Sequence, residues 1–205
     1  MNPFPIFLKL AGRRCLVVGA GPVGEAKIES LLLASADVRV VAPHATQVVR
    51  AWARAGRVRW DVRDFRPSDL DGVFLVVAAT SSAELHERIF QGAGRRGVLC
   101  NVVDDPARCD FYYPSVVRRG PLQIAISTCG RSPALAQRLK KQLEQQFGPE
   151  YEAWVGQLGQ ARQKLLARAI DPERRRRLLH RLASRRAFDA FLRRRRATDL
   201  RQNPP

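Results

Sequence analysis

The sequence predicts an α/β fold with a doubly wound parallel sheet, and three observations support this prediction. Short apolar segments alternate with segments of helical period through the first hundred residues. A glycine-rich turn, GAGPVG, separates the first apolar segment from the first helical one. The segment VFLVVAAT at 73–80 is apolar without alternation, which is typical of a strand buried on both faces.

Strands and helices are predicted to follow one another through residues 1–105. The strands cover residues 13–21, 37–43, 57–62, 73–80 and 97–105. The helices cover residues 22–34, 45–55 and 83–95. The first helix has apolar side chains spaced to pack one face on a sheet, at Val23, Ala26, Ile28, Leu31 and Leu32. Because helices alternate with the strands, we expect the sheet to be parallel.

The pattern changes after Asp105. Two strands are predicted at 111–117 and 122–128, joined by a turn at 118–121 that contains Gly120-Pro121. A helix begins at Ser132-Pro133, an N-cap followed by proline at the first helical position, and ends at Gly148-Pro149. Further helices are predicted at 150–169 and 172–196.

The turn at 19–24 is a complete G-x-G-x-x-G motif between a strand and a helix. Gly19 permits the tight turn, Gly21 lets a pyrophosphate approach the backbone, and Gly24 lets helix and strand pack closely. With the helix N-terminus facing the phosphates, the motif predicts a Rossmann-like dinucleotide site. The acidic residue that usually binds the ribose is absent, since the second strand ends in VAPH at 41–44. NAD and NADP therefore stay open as alternatives, and backbone groups near Pro43 and His44 are expected to hold the ribose.

Three regions are predicted along the chain. Residues 1–113 form an NAD-binding Rossmann domain, 114–148 supply dimerisation strands and a helix, and 149–205 form a helical, arginine-rich C-terminal region. Two strands and one helix bury too little apolar surface for an independent core. We therefore expect residues 114–148 to pair with the same elements of a second copy in a homodimer.

Composition argues against several classes of protein. The apolar runs are too short to span a bilayer and the N-terminus lacks a basic-then-apolar leader, so a cytoplasmic protein is expected. The four cysteines form no C-x-x-C pair and the three histidines are scattered, so reduced thiols and no metal site are predicted. Residues 1–113 have a net charge of about +3, and residues 114–205 of about +14. The basic second half favours an anionic partner.

The fifth strand runs into NVVDDPARCDFYYPS at 101–115. Open α/β sheets bind their ligands beyond the carboxyl ends of the strands, so Asp104 and Asp105 stand where a ligand is expected. Asp105 precedes Pro106, and a short polar side chain at such a position commonly stabilises a turn.

Three stretches together resemble the siroheme synthase dehydrogenase/ferrochelatase module, the bacterial precorrin-2 dehydrogenase family. They are PIFLKLAGRRCLVVGAGPVGEAKIESLL, FLVVAATSSAELHERI and NVVDDPARCDFYYPSVVRRGPLQIAISTCGRSPALAQRLKKQLE. The similarity covers about residues 5–147. The combination of NVVD, F-x-x-P-S, RGPL-x-IAIST and SP-x-LA is specific to the family, whereas no single motif is.

The resemblance implies that NAD takes a hydride from precorrin-2, giving sirohydrochlorin, and that ferrous iron is then inserted as a substrate to give sirohaem. It assigns the role of general base to Asp104, for the oxidation or for stripping protons from pyrrole nitrogens. Beyond the three glycines, it implies nucleotide contacts at Pro22, Val23, Pro43, His44, Ala79 and Thr80.

The carboxylates around the rim of such a substrate offer a reason for the basic second half. Guanidinium groups bind carboxylates bidentately. Substrate contacts are therefore predicted at Arg118, Arg119, Arg131 and Arg138. Thr128 stands where some members of the family have a phosphorylatable serine. Cys129 replaces a usual glycine, which argues against a backbone conformation with positive φ there.

Two alternative functions stay open. One is a dehydrogenase with the same substrate and no chelatase activity, because a base at Asp104 serves either step. The other is a redox-sensing protein that binds NAD and nucleic acid, because residues 162–201 carry 15 Lys+Arg against 4 Asp+Glu. That segment has no helix-turn-helix signature and lacks interleaved aromatic residues, so no specific nucleic acid and no membrane partner are predicted.

Overall fold

The computed structural model describes residues 3–202, and the side chains of residues 3–196. The chain divides into two compact units, Met1–Tyr113 and Pro114–Pro205. The first unit contains a five-stranded parallel sheet with helices, which confirms the predicted α/β class. In the part that the structure describes, the second unit contains a two-stranded antiparallel sheet and four helices.

Strands and helices alternate in the first unit as predicted. The strands are β1 (Arg14–Ala20), β2 (Asp37–Ala45), β3 (Arg59–Asp61), β4 (Leu75–Ala78) and β5 (Leu99–Val102). The helices are α1 (Pro22–Leu33), α2 (Gln47–Arg54) and α3 (Ala83–Gly94). The strand order is β3-β2-β1-β4-β5, so the direction of winding reverses between β1 and β4. Open sheets of this kind bind ligands at that reversal, beyond the carboxyl ends of the strands.

The sheet is covered on both faces because successive residues of a strand point to opposite sides. Val17 of β1 lies in one apolar layer with Ile28 of α1 and Val49 of α2. Leu16 lies in the other layer with Ile89 of α3. All five side chains are fully buried, which explains why the strands are apolar without alternation.

In the second unit, β6 and β7 form an antiparallel hairpin followed by four helices. The elements are β6 (Ser115–Arg119), β7 (Leu122–Ile126), α4 (Pro133–Gln146), α5 (Glu150–Leu166), α6 (Pro172–Leu182) and α7 (Arg185–Gln202). Two predicted boundaries are wrong. Phe111 and Tyr113 pack against the core of the first unit, so β6 begins only at Ser115. Arg118 and Arg119 lie in β6, and the turn is Gly120-Pro121 alone.

The segment predicted as one helix at 172–196 is two helices. α6 ends at Leu182, and the Ser184 hydroxyl accepts a hydrogen bond from the backbone N–H of Ala187 at 3.3 Å, which caps α7. The break brings Phe188 of α7 against Trp154 of α5, with ring centroids 5.6 Å apart. Capping and aromatic packing therefore outweigh the continuous helical pattern of the sequence.

Candidate active site

The glycine loop between β1 and α1 excludes side chains at two of its three glycines. Gly19 has a φ of +97°, and a Cβ there would overlap the carbonyl oxygen of Ala79. A Cβ on Gly24 would overlap the carbonyl oxygen of Gly19. At Gly21 a Cβ would have no atom within 4 Å. Gly19 and Gly24 therefore close the turn, while Gly21 leaves room for a ligand to approach the backbone.

The N-terminus of α1 is free of side-chain caps, unlike those of α2 and α3. Thr46 and Ser82 each accept a hydrogen bond from the third residue of their helices, at 3.2 Å. The N-cap of α1 is instead Gly21, Pro22 is the first helical residue, and no side chain caps the helix. Its first-turn N–H groups and helix dipole favour an anion beside the loop.

The predicted nucleotide contacts lie along one edge of the sheet. Strand register aligns Val18 of β1 with Val41 of β2 and with Ala78 of β4. The residues beyond these points share the carboxyl edge. They are Gly19 near the end of β1, the exposed pair Pro43 and His44 near the end of β2, and Ala79 and Thr80 after β4. Val23 lies exposed in the first turn of α1, beside the same loop.

Thr80 places a buried polar group at this edge. Its hydroxyl is buried and has no hydrogen-bond partner within the described residues. A Cβ on Gly19 would lie 3.1 Å from its Cγ2, which places Thr80 against the glycine loop. A buried hydroxyl without a partner, the open position at Gly21 and the uncapped helix together fit a dinucleotide.

Asp104 follows β5 in a conformation that is rare for a residue with a side chain. Its φ is +61°, in the left-handed region, and it is exposed at the end of the strand. Ala78 of β4 pairs with Val102 of β5, which places Asp104 at the same edge as the glycine loop. Its carboxylate makes no hydrogen bond or ion pair with the described residues. Backbone strain of this kind is typical of functional positions.

The chain after Asp104 folds back onto β5 and is held there by buried polar contacts. Asn101 is 5% exposed, and its Nδ2 donates to the carbonyl oxygen of Phe111 at 2.8 Å. The backbone N–H of Cys100 donates to the carboxylate of Asp110 at 2.8 Å. These bonds fix the strand-end loop, and with it the backbone of Asp104.

Asp105 has a different environment from its neighbour. Arg108 Nη1 lies 2.5 Å from its carboxylate, and Arg108 also bonds Glu87 of α3 at 2.6 Å. The hydrogen bond from Arg108 holds the pKa of Asp105 below its usual value. Asp105 therefore anchors the loop to α3, and Asp104 is the aspartate of the pair that stays available to a ligand.

A cavity of about 140 Å³ lies at this strand end, and most of its lining residues are not among the predicted site residues. Asp104, Lys27 of α1, Cys109 and Tyr113 are among its lining residues. The Lys27 ammonium lies 3.7 Å from the centre of the Tyr113 ring, in cation–π contact. Burial lowers the pKa of Lys27, while Asp104 and Cys109 act in the opposite direction.

The sequence signal that identifies Lys27 as a candidate site residue is its spacing from Gly24. It stands three residues after Gly24 and thus on the helix face that packs closest to the sheet. Burial raises the pKa of Tyr113 to about 12, so its phenol stays protonated. The site thus combines an ionisable carboxylate with a half-buried ammonium in one cavity.

The four predicted substrate arginines all belong to the second unit. Arg118, Arg131 and Arg138 are exposed. Arg119 is half-buried, and its guanidinium donates to the carbonyl oxygens of Phe147 at 2.8 Å and Glu144 at 3.0 Å. Arg119 thus caps the C-terminus of α4, where a cation is favoured. Their contacts with a substrate stay predictions.

The loop before α4 keeps a glycine-like backbone although a cysteine occupies it. Cys129 has a φ of +52°, so the expectation that its side chain excludes a positive φ is wrong. Two hydrogen bonds hold the loop: Cys129 N–H donates to the Ser127 hydroxyl at 3.1 Å, and Ser132 N–H donates to the Thr128 hydroxyl at 3.1 Å. These bonds outweigh the steric cost of the left-handed conformation.

Among the described residues, no helix combines the length and the apolar character that a membrane span requires. Within the same residues, no three histidine, cysteine or acidic side chains lie close enough to hold a metal ion together.

Comparison with protein families matches both units. Residues 6–115 match a family described as "Putative NAD(P)-binding". Residues 119–146 match one described as "Sirohaem biosynthesis protein central".

Similar curated proteins include siroheme synthase 1 of Pectobacterium atrosepticum, 41% identical over 89% of this chain. A siroheme synthase of Neisseria meningitidis is 44% identical over 73% of this chain. The chain spans 38% and 31% of the lengths of these two relatives.

A solved structure supports the same relationship. The protein described as "SirC, precorrin-2 dehydrogenase" matches with a TM-score of 0.78 and 27% identity, over 89% of this chain and 90% of that one. The resemblance inferred from the motifs is therefore confirmed, and so is the Rossmann-like fold with its small antiparallel sheet and C-terminal helices. The chain belongs to the NAD(P)-binding family that its residues 6–115 match, and its relatives are the siroheme synthases.

Proposed function

We propose that the protein is an NAD-dependent precorrin-2 dehydrogenase that produces sirohydrochlorin. One observation carries the proposal: the nucleotide-binding edge at Gly21 and the free carboxylate of Asp104 occupy the same carboxyl edge of one sheet. The names of the relatives supply the substrate class. When bound at this edge, a nicotinamide dinucleotide supplies hydride acceptance.

The chain's own residues have separate tasks in this proposal. The glycine loop and the N-terminus of α1 bind the pyrophosphate, and the buried hydroxyl of Thr80 supplies a polar contact at the crevice. Asp104 accepts the proton that the macrocycle releases as it is oxidised. Lys27 lies in the same cavity, where its ammonium binds an anionic group of the substrate and so holds the macrocycle beside that carboxylate.

We further propose that ferrous iron is then inserted as a substrate, with Asp104 accepting protons from the pyrrole nitrogens. The macrocycle brings four nitrogen ligands, so this reaction requires no metal cage made of protein side chains. The exposed arginines Arg118, Arg131 and Arg138 are proposed to contact the carboxylates of the substrate.

The test is an anaerobic assay of the purified chain with precorrin-2 and either NAD or NADP, followed by addition of ferrous iron. We expect NADH formation and then sirohaem at a rate above that without protein. NADH without accelerated iron insertion would show a dehydrogenase alone. If neither NAD nor NADP is reduced, the proposed function is wrong.

A further inference from the structure

A groove of about 600 Å³ lies between the helices of the second unit. Its walls are the C-terminal half of α5, the end of α6 and the start of α7. Small and aliphatic side chains form its floor, among them Ala161, Leu165, Leu178, Ala187 and Ala190. Three of these five are alanines, and their short side chains create the space between the helices.

The rim of the groove is positively charged. Lys164 of α5, Arg168 just after that helix, Arg181 of α6 and Arg186 of α7 line it, together with Ser184. None of these cations forms an ion pair with a described side chain, and no acidic residue is among the lining residues of the groove. An apolar floor surrounded by cations is complementary to an apolar body that carries anionic groups at its edge. A second copy of this chain, with a net charge of +17, fits such a rim poorly.

The size of the groove favours a small molecule over a helix of a partner protein. On α5 the lining residues run from Ala161 to Leu165, a length of about 6 Å at the helical rise. A docking helix needs anchors over at least two turns and a groove open at both ends. The volume instead falls within the range of about 300–1,000 Å³ that is usual for small-molecule sites.

We propose that this groove is a second binding site for a planar polycarboxylate of the tetrapyrrole class, formed by different residues from the cavity at Asp104. The flat apolar face of the ligand rests on the alanines and leucines of the floor, and the rim cations bind its carboxylates. The choice of ligand class rests on the proposed function, whereas the shape and charge of the groove do not.

The test measures binding of uroporphyrin, a stable porphyrin with carboxylates on every ring, to the full chain by equilibrium dialysis at moderate salt. The groove variant is Lys164→Glu/Arg181→Glu. The matched control is Arg162→Glu/Arg176→Glu, which makes the same charge change on the same two helices at exposed residues outside the groove. Ala187→Phe fills the floor without changing the charge.

We expect the groove variant and Ala187→Phe each to weaken one class of uroporphyrin site by roughly tenfold or more, while the control pair retains it. Equal losses in the groove and control pairs would show general charge attraction and overturn the proposal. Retained binding in Ala187→Phe, checked for native helix content, would overturn it as well.

The same variants are assayed for NADH formation from precorrin-2, which keeps the two proposals apart. We expect the groove variants to retain the wild-type rate. If the wild type forms no NADH and the groove variants still weaken uroporphyrin binding, the proposed function is wrong and the proposed groove site stands.

Discussion

Asp104 and Cys129 share a left-handed backbone conformation, and the reasons for it differ. Asp104 follows a strand that ends at the ligand-binding edge, and its φ of +61° belongs to a loop fixed by the buried Asn101. Cys129 lies in the loop before α4 with a φ of +52°, and its side chain is exposed. Strain at Asp104 is functional in this account, whereas strain at Cys129 is removable.

Cys129→Gly is expected to stabilise the protein by about 1 kcal/mol, because glycine adopts positive φ without the steric cost paid by other residues. Urea unfolding of the wild type and the variant measures the difference. Cys129→Ala is the control, since it removes the thiol and keeps the Cβ. Equal stabilisation by alanine and glycine would show that the backbone conformation is not the cause.

The ion pair between Asp105 and Arg108 makes the stability of the protein depend on pH. Its pKa is lower in the folded protein than its usual value, because Arg108 donates a hydrogen bond to it. The pair therefore stabilises the fold above about pH 4, and this contribution is lost as the pH falls through the lower folded pKa. Asp105→Asn is expected to be less stable than the wild type at pH 7, with a smaller difference at pH 3. A difference that grows on acidification would contradict this assignment.

Substitutions at two glycines of the glycine loop are expected to differ in effect, one lowering stability and the other lowering NAD affinity. Gly24→Ala is expected to destabilise the protein by about 1–3 kcal/mol, since its Cβ overlaps the carbonyl oxygen of Gly19. Gly21→Ala has no such overlap, so it is expected to keep wild-type stability and to lower NAD affinity by about tenfold. Thermal unfolding and calorimetric titration with NAD distinguish the two. Normal NAD affinity in Gly21→Ala would show that the nucleotide does not bind at this loop.

Elements with strong local signals could be predicted, and elements set by tertiary contacts could not. The five parallel strands and the glycine loop follow from apolar runs and motif spacing. The break at Ser184 could not be predicted, because the helical period of the sequence continues through it. The cap at Ser184 is stabilised by a tertiary contact, the packing of Phe188 on Trp154. The contact between Lys27 and Tyr113 joins residues far apart in the chain, so no local sequence pattern predicts this contact.

At the scale of the whole molecule, the second unit contains only a two-stranded sheet among its described residues. The outer edges of β6 and β7 are not paired with another described strand, and unpaired edges favour pairing with another chain, so we propose that β6 and β7 pair with a second copy. Sedimentation equilibrium is expected to give twice the chain mass of 23.0 kDa at micromolar concentration. A single-chain mass at that concentration would contradict the proposed homodimer.

We propose that the nucleotide edge and Asp104 act in one reaction, and the variant Asp104→Asn is the sharpest test of this. Asparagine tolerates the left-handed backbone and has nearly the same shape, but it cannot accept the proton. Binding of NAD and formation of NADH from precorrin-2 are measured on the same preparation. We expect wild-type NAD affinity and a loss of about a hundredfold or more in the rate of NADH formation. A variant that forms NADH at the wild-type rate would show that Asp104 is not the base.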